Sequence, residues 1–182
     1  MNLTKTCFLD MDGVLADFVG GVCKAHDRKT PYEDPKSFGI FDMEKLWGID
    51  AEAFWGPLEY EGFWYWLDKT PEADEIVELV CGQFGSRNIA ILTSPSEYAH
   101  CIPEKKEWMK KHYPELAKQM FFGSAKRFMG GPGKVLVDDR DFNIKEFENA
   151  VGQGITVCRP WNWLHGYDPI LHLKDCLHEL KD

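Results

Sequence analysis

Short apolar segments, each ending at polar residues, alternate with helical patterns along the chain and limit the folds it can adopt. The candidate strands are residues 6–9, 88–92, 135–137 and 155–158, with a shorter candidate at 120–122. The candidate helices between them are residues 72–84, 104–112 and 142–149. Strands that are apolar throughout are typical of a parallel sheet covered on both faces. The pattern therefore predicts an α/β fold built on a doubly wound parallel sheet.

The alternation of strands and helices stops between residues 16 and 71. This stretch is rich in turn residues and aromatic side chains, with seven aromatic residues between positions 54 and 66. We interpret it as a small, mostly helical cap inserted between the first and second strands. The predicted division is a core formed by residues 1–15 and 72–182, with residues 16–71 as the cap.

The composition narrows the classes of function. The 30 acidic and 21 basic residues give a net charge of −9, whereas proteins that bind long nucleic acid or an anionic membrane usually carry the opposite balance. No segment approaches the ~18 uninterrupted apolar residues of a membrane span, and the first residues lack a signal-peptide pattern. The six cysteines lie far apart, which predicts free thiols. We expect a cytoplasmic protein with a small-molecule partner, no long nucleic acid and no membrane.

Polar side chains follow three of the predicted strands. They are Asp10 and Asp12 after the first strand, Thr93 and Ser94 after the second, and Asp138 and Asp139 after the third. The carboxyl ends of parallel strands share one edge of the sheet, so these residues are expected to converge. Crowded carboxylates repel one another unless a cation neutralises them, and such oxygen ligands suit Mg²⁺. The spacing therefore predicts a Mg²⁺-dependent site for phosphoryl transfer.

Residues 10–18, which read DMDGVLADF, resemble the first motif of the haloacid-dehalogenase-like phosphatases. More narrowly, they resemble the 5′(3′)-deoxyribonucleotidases, and residues 91–95 and 136–140 resemble the second and fourth motifs of that family. Residues 98–101, Glu104, Lys105 and Trp108 are also similar to it. The resemblance covers roughly residues 1–20, 60–70 and 88–160. It implies a Rossmann-like core and the hydrolysis of (deoxy)ribonucleoside 5′-monophosphates to nucleoside and phosphate.

The resemblance also implies roles for the first and fourth motifs. Asp10 would be the nucleophile that forms an aspartyl-phosphate intermediate. Asp12 would protonate the leaving oxygen and then activate the water that hydrolyses the intermediate. Mg²⁺ would be held by the Asp10 carboxylate, the Asp12 main-chain carbonyl and Asp138, with Asp139 supporting. Gly13 would let the chain turn closely around the phosphate.

The second motif and a lysine complete the implied phosphate site. Thr93 and Ser94 would bind phosphate oxygens, and the lysine would neutralise the remaining charge. The family places its lysine before the strand that leads into the Asp pair, which favours Lys126. Arg127 and Lys134 are the nearby alternatives.

In the cap, Phe18, Phe63 and Trp64 match positions that form an apolar slot for a pyrimidine base in the family. Stacking of a base on an aromatic ring contributes ~1–3 kcal/mol. This is enough to select nucleotides over sugar phosphates, although it does not determine which base is preferred. The family also makes a homodimer plausible.

The polar residues that follow the strands have simpler interpretations when each motif is taken alone. Asp10 and Asp12 are also typical of a turn after a strand, and Thr93 with Ser94 is also typical of a helix cap. Two other functions stay open. One is a phosphatase of the same fold for a sugar phosphate or a 3′-phosphorylated nucleic-acid end, and the other is a non-catalytic nucleotide-binding protein.

Two further groups are predicted to be structural. Trp161 follows the last strand and either borders the site or covers the sheet edge, and we favour the second interpretation. The lysines at 105, 106, 110 and 111 are expected to form a solvated helix face that is too small to bind nucleic acid.

Overall fold

In a computed structural model of the protein, which describes residues 5–180, five strands form one parallel sheet. The strands are β1 (Thr6–Leu9), β2 (Ile89–Thr93), β3 (Met120–Phe122), β4 (Lys134–Asp138) and β5 (Gln153–Thr156). Their order in the sheet is β3-β2-β1-β4-β5, and every pair is parallel. The predicted α/β class and parallel sheet are therefore confirmed, with β1 at the centre.

Seven helices accompany the strands in the described residues. They are α1 (Phe18–Ala25), α2 (Met43–Trp47), α3 (Ala51–Trp55), α4 (Ala73–Phe84), α5 (Cys101–His112), α6 (Asp141–Asn149) and α7 (Pro169–Glu179). On α4, the buried residues Ile76, Val80 and Phe84 are spaced four apart, so they share one face of the helix. That face packs towards the sheet.

The sheet is covered on both faces, as strands without alternation require. Successive residues of β1 point to opposite faces: Cys7 and Leu9 belong to the larger apolar cluster, and Phe8 belongs to a second one. Helices α4 and α7 contribute to the larger cluster, whereas Ile144 and Phe147 of α6 contribute to the second. The core residues of β1 are thus buried from both sides.

The segment of residues 16–71 has helices and short 3-10 turns as its regular elements. Its two ends meet beside β1, because Ala16 and Lys69 form a single antiparallel bridge and Thr70 N donates to Leu15 O at 2.9 Å. Chain ends that lie together are what an inserted unit needs. The helical character fits the expectation, and the division into cap and core stays a prediction.

All six cysteines are free thiols, as expected. Three of them, Cys7, Cys101 and Cys158, are buried, and the other three are partly exposed. Within residues 5–180, none of the helices combines the length and apolarity that a membrane crossing requires.

Candidate active site

Three carboxylates meet at the carboxyl ends of two neighbouring strands. Asp10 follows β1, Asp138 is the last residue of β4, and Asp139 comes next in the chain. One oxygen of each lies within 4.8 Å of the others, and all three side chains are buried. The convergence expected of the strand ends is therefore present.

Lys126 is the cation inside this cluster. Its Nζ lies 2.8 Å from Asp10 Oδ1 and 2.6 Å from Asp138 Oδ2, and only 2% of the residue is exposed. Burial by itself lowers the pKa of Lys126, but the two carboxylates outweigh that effect and raise it. Lys126 is therefore a charged group held between two acids.

The two alternatives to Lys126 lie elsewhere. Arg127 is exposed and lies 4.0 Å from Glu146, and the Nζ of Lys134 donates to Thr6 Oγ1 at 3.1 Å. Among these three candidates, only Lys126 reaches the acid cluster in the described residues.

One lysine does not compensate three buried acids. Burial raises the pKa of Asp10 to about 7, and the neighbouring charges of Asp138 and Asp12 add to the rise while Lys126 opposes it. Burial, followed by the charges of Asp138 and Asp10, also raises the pKa of Asp139 well above its usual value. The cluster is therefore electrostatically suited to a further cation.

The three carboxylates differ in how many of their oxygens are already hydrogen-bonded. Asp138 accepts bonds on both oxygens, from Lys126, from Asn143 Nδ2 at 3.0 and 3.1 Å, and from the Arg140 main-chain N at 2.9 Å. By contrast, Asp10 Oδ2 and Asp139 Oδ1 have no hydrogen-bond partner within residues 5–180. Two acceptor oxygens of the cluster are thus available.

A second buried lysine holds Asp12. Lys105 Nζ donates to Asp12 Oδ2, to Thr93 Oγ1 at 2.9 Å and to Ser94 O at 2.7 Å, and Lys105 has no exposed surface. It also lies 4.6 Å from the centre of the Trp64 ring, in cation–π geometry. Lys105 thereby joins the first motif, the second motif and the aromatic segment.

The prediction that Lys105 belongs to a solvated face is wrong. Lysines 106, 110 and 111 are exposed as expected. Lys105, however, comes four residues after the buried Cys101 and three before the buried Trp108, which places it on the inner face of α5. That spacing was visible in the sequence and could have identified the residue.

Gly13 sits where the chain turns away from the cluster. Its φ is +75°, and a Cβ there would lie 2.2 Å from Asp139 Oδ2, so a glycine is required on both grounds. The Gly13 carbonyl accepts a 2.6 Å bond from Nε of the buried Arg159. The same Asp139 Oδ2 accepts a 2.6 Å hydrogen bond from Trp161 Nε1.

A cavity of about 360 Å³ opens above the cluster. Its lining includes the acids Asp10, Asp12 and Asp139, together with Phe18, Trp64, Ser94 and Trp161. Trp161 therefore borders the site, and the favoured interpretation that it only covers the sheet edge is wrong.

The three aromatic residues expected to form a slot pack against one another. The rings of Phe18 and Trp64 are stacked at 5.5 Å with a 12° angle between their planes. Phe63 meets both rings edge-on, at 6.0 and 4.9 Å, and is not among the residues that line the cavity. Phe18 and Trp64 form a continuous wall, and Phe63 supports it from behind.

The second motif is divided between the cavity and the interior. Ser94 lines the cavity, whereas Thr93 is fully buried and its hydroxyl accepts the bond from Lys105.

Comparisons with known proteins identify the family. Residues 4–175 match the family described as 5′ nucleotidase, deoxy (pyrimidine), cytosolic type C protein. The human cytosolic-type 5′(3′)-deoxyribonucleotidase is 29% identical over 142 residues, which is 73% of this chain and 69% of that protein. A mouse mitochondrial 5′(3′)-deoxyribonucleotidase is 28% identical over 72% of this chain, and the match spans 63% of its own length. A putative 5′(3′)-deoxyribonucleotidase from Staphylococcus epidermidis is 26% identical over 92% of this chain and 90% of its own.

Solved structures support the fold. A haloacid-dehalogenase-like hydrolase from Streptococcus pneumoniae superimposes with a TM-score of 0.58 and 11% identity, covering 100% of both chains. A hydrolase from Pseudomonas syringae gives 0.54 with 16% identity, covering 97% of this chain and 99% of its own. With the family match extending over residues 4–175, the chain belongs to the 5′-nucleotidase, deoxy (pyrimidine), cytosolic type C family of hydrolases.

Proposed function

We propose that the protein is a Mg²⁺-dependent phosphomonoesterase that hydrolyses deoxyribonucleoside 5′-monophosphates to nucleoside and phosphate. The observation that carries this proposal is the buried cluster of Asp10, Asp138, Asp139 and Lys126 beside a cavity with an aromatic wall. The names of the relatives, which are 5′(3′)-deoxyribonucleotidases, support the substrate class.

Asp10 is the proposed nucleophile. Its Oδ1 is fixed by Lys126 and by the Met11 main-chain N at 2.7 Å, which leaves Oδ2 without a partner. Oδ2 would form a bond to phosphorus while the bond between phosphorus and the 5′ oxygen breaks, giving an aspartyl phosphate and a nucleoside. Fixing one carboxylate oxygen orients the other for attack.

Asp12 is the proposed general acid and base. Its Oδ2 is held by Lys105, whereas its Oδ1 is buried and has no hydrogen-bond partner in the described part of the chain. Oδ1 would give a proton to the leaving 5′ oxygen and then take one from the water that attacks the aspartyl phosphate. A buried acceptor without a partner is unfavourable in a resting site and is suited to this exchange.

The donor set fits Mg²⁺. It consists of hard carboxylate oxygens, two of which have no hydrogen-bond partner, in a cluster that one lysine leaves with an excess of negative charge. Asp10, Asp139 and the Asp12 main-chain carbonyl would hold the ion. Asp138 would mainly hold Lys126 and Asn143, because both of its oxygens are engaged, so the structure favours Asp139 over Asp138 as a direct ligand. When bound, Mg²⁺ would neutralise charge on the phosphate oxygens.

The phosphate and base sites follow from the same geometry. Lys126 and the Ser94 hydroxyl would contact phosphate oxygens, and Gly13 would allow the phosphate to approach the backbone. Thr93 would act by positioning Lys105. Phe18 and Trp64 would offer a stacking face to the base, with residues 16–71 acting as a cap that determines specificity. We also propose that the protein is cytoplasmic and that it forms a homodimer.

Phosphate release from a panel of substrates tests the proposal. The panel contains 5′- and 3′-nucleoside monophosphates in ribo and deoxy forms, a sugar phosphate and a 3′-phosphorylated oligonucleotide. We expect release to be concentrated on 5′-deoxynucleotides. Release confined to the sugar phosphate or the oligonucleotide would replace the substrate class, and binding of nucleotides without any release would indicate a non-catalytic protein.

A further inference from the structure

The loop of residues 159–162 follows β5 and lies outside the sequence motifs, yet it contacts the acid cluster. Trp161 Nε1 donates to Asp139 Oδ2 at 2.6 Å. The next residue, Asn162, donates from Nδ2 to the main-chain O of Asp139 at 2.9 Å. Asp139 is therefore held by this loop at its side chain and at its main chain.

Asn162 also fixes the shape of the loop. It is 1% exposed, and its Oδ1 accepts the main-chain N–H groups of Arg159 at 3.2 Å and Leu164 at 3.1 Å. Its Nδ2 donates in addition to Val157 O at 2.7 Å. Because one buried side chain bonds these main-chain groups, the loop keeps Trp161 in a defined position.

The Trp161 ring is enclosed by the first motif and by the segment of residues 16–71. A Cβ at Gly13 would lie 3.2 Å from Trp161 Cζ2, and the Tyr32 ring lies 5.4 Å from the Trp161 ring between centres. The residue is buried. A packed ring has little freedom to turn, so its N–H stays directed at Asp139.

Trp161 orients Asp139 without compensating its charge. An indole N–H is a neutral donor, whereas Asp138 is bonded by the charged Lys126. The bond from Trp161 engages Oδ2 of Asp139 and leaves Oδ1 without a hydrogen-bond partner within residues 5–180. Asp139 thus keeps its negative charge and one oriented, available oxygen, both of which favour the binding of a cation.

We infer that Trp161 is a positioning residue of the metal site, which strengthens Mg²⁺ binding by fixing the Asp139 carboxylate. The inference rests on the Mg²⁺ dependence of the proposed function and adds to it a residue outside the motifs. Loss of a hydrogen-bond partner of a metal ligand typically costs about 10–100-fold in metal affinity.

Calorimetric titration of the full-length protein with Mg²⁺, in the absence of nucleotide, tests the inference directly. Trp161→Phe removes the indole N–H and keeps an aromatic ring beside Tyr32. This variant is expected to bind Mg²⁺ at least about tenfold more weakly than the wild type.

Trp163→Phe is the matched control, because it makes the same substitution at an exposed tryptophan that does not line the cavity. Its affinity for Mg²⁺ should equal that of the wild type. Melting temperatures in EDTA verify that both variants fold.

The dependence of turnover on Mg²⁺ concentration separates positioning of the metal ligand from a general loss of structure. Trp161→Phe should need at least about tenfold more Mg²⁺ for half-maximal phosphate release. Its kcat should approach that of the wild type once Mg²⁺ is saturating. A lower kcat that saturating Mg²⁺ does not restore, together with an unchanged affinity for Mg²⁺, would indicate a purely structural role and overturn the inference.

Nuclear magnetic resonance of the indole N–H groups tests the wild type, where no substitution can affect folding. Titration with Mg²⁺ should shift the Nε1–H signal of Trp161 more than that of Trp163, because the Trp161 N–H is bonded to a proposed metal ligand. An unmoved Trp161 signal in a protein that binds Mg²⁺ by calorimetry would overturn the inference.

Binding and turnover measured on the same proteins separate this inference from the proposed function. If Trp161→Phe binds Mg²⁺ at least about tenfold more weakly than the wild type, but the wild type releases no phosphate from nucleotides, the nucleotidase proposal fails and the inference stands. Equal affinities of the two proteins for Mg²⁺ would overturn the inference and leave the nucleotidase proposal intact. Absence of Mg²⁺ binding by the wild type would overturn both.

Discussion

At the scale of single residues, two buried lysines hold the two aspartates of the first motif in different ways. Lys126 bridges Asp10 and Asp138 and leaves one Asp10 oxygen free. Lys105 holds Asp12 against the second motif. A charge-assisted bond is among the stronger hydrogen bonds in proteins, so each lysine fixes its aspartate in one orientation.

The variant Lys105→Met should lower kcat by about 10²-fold, because an unheld Asp12 loses its position as general acid. Rates of leaving-group release in the first turnover, with a nucleotide and with p-nitrophenyl phosphate, measure the effect on this step apart from the later hydrolysis of the aspartyl phosphate. The second substrate has a leaving group that needs little protonation, so its release should slow much less. Equal losses on both substrates would contradict the positioning role.

The control for this prediction is Lys106→Met, the same substitution at the exposed neighbouring position of α5. It should leave both rates near those of the wild type.

The residue types of the site were readable from the sequence, but their individual environments were not. Strand ends followed by acids are visible as a pattern, whereas the hydrogen bond from Trp161 to Asp139 and the ion pair between Lys126 and Asp10 join side chains that are distant in sequence. Lys105 is the exception, since its helical spacing from Trp108 indicated burial.

At the scale of elements, α5 joins the core to the segment of residues 16–71. The Glu104 carboxylate accepts the main-chain N–H groups of Gly62 at 2.6 Å and Trp64 at 3.1 Å, and Trp108 Nε1 donates to Leu67 O at 2.7 Å. The aromatic wall is therefore attached to the same helix that positions Asp12.

The variant Glu104→Ala should destabilise the protein by about 2–4 kcal/mol, since two N–H groups lose a charged acceptor. It should also raise the KM for nucleotides more than the KM for p-nitrophenyl phosphate, because the Trp64 wall loses its support. Urea unfolding and steady-state kinetics measure the two effects. Glu107→Ala, an exposed acid of the same helix, is the control, and an equal effect of both variants would contradict this role of Glu104.

The elements differ in how well the sequence indicates them. All five strands were predicted, and the first four are short runs of mainly apolar residues. The fifth is displaced, because β5 is Gln153–Thr156 whereas the apolar pattern predicted residues 155–158. Helices α2 and α3 have five residues each, too few for a helical period to be seen. Helix α7 was not predicted, although Asp168 caps it and Pro169 opens it, two signals of a helix start. The strand order follows from pairing between distant segments and has no local signal.

At the scale of the whole molecule, the acid cluster links stability to pH and to metal. Burial raises the pKa of Asp10 to about 7 in the folded protein, above the ordinary value of about 4. Between these values the folded protein binds a proton that the unfolded chain has released. The contribution of Asp10 to stability is therefore lost as the pH rises from about 4 to about 7.

In EDTA, raising the pH from about 4 to about 7 should lower the free energy of unfolding of the wild type relative to that of Asp10→Asn. The expected difference is on the order of a few kcal/mol. Added Mg²⁺ should reduce the difference, because a cation compensates the ionised carboxylates. Chemical unfolding at several pH values measures both effects. Parallel curves for the two proteins in EDTA would contradict the assigned electrostatics.

Phosphate release by the wild type and by Asp10→Asn, each with Mg²⁺ and with EDTA, tests the proposed chemistry most directly. An amide cannot attack phosphorus as a carboxylate does, so Asp10→Asn should fold and bind nucleotide but release no phosphate. The wild type should release phosphate from deoxyribonucleoside 5′-monophosphates only with Mg²⁺. Substantial release by Asp10→Asn, or unchanged release by the wild type in EDTA, would contradict a Mg²⁺-dependent nucleotidase that acts through Asp10.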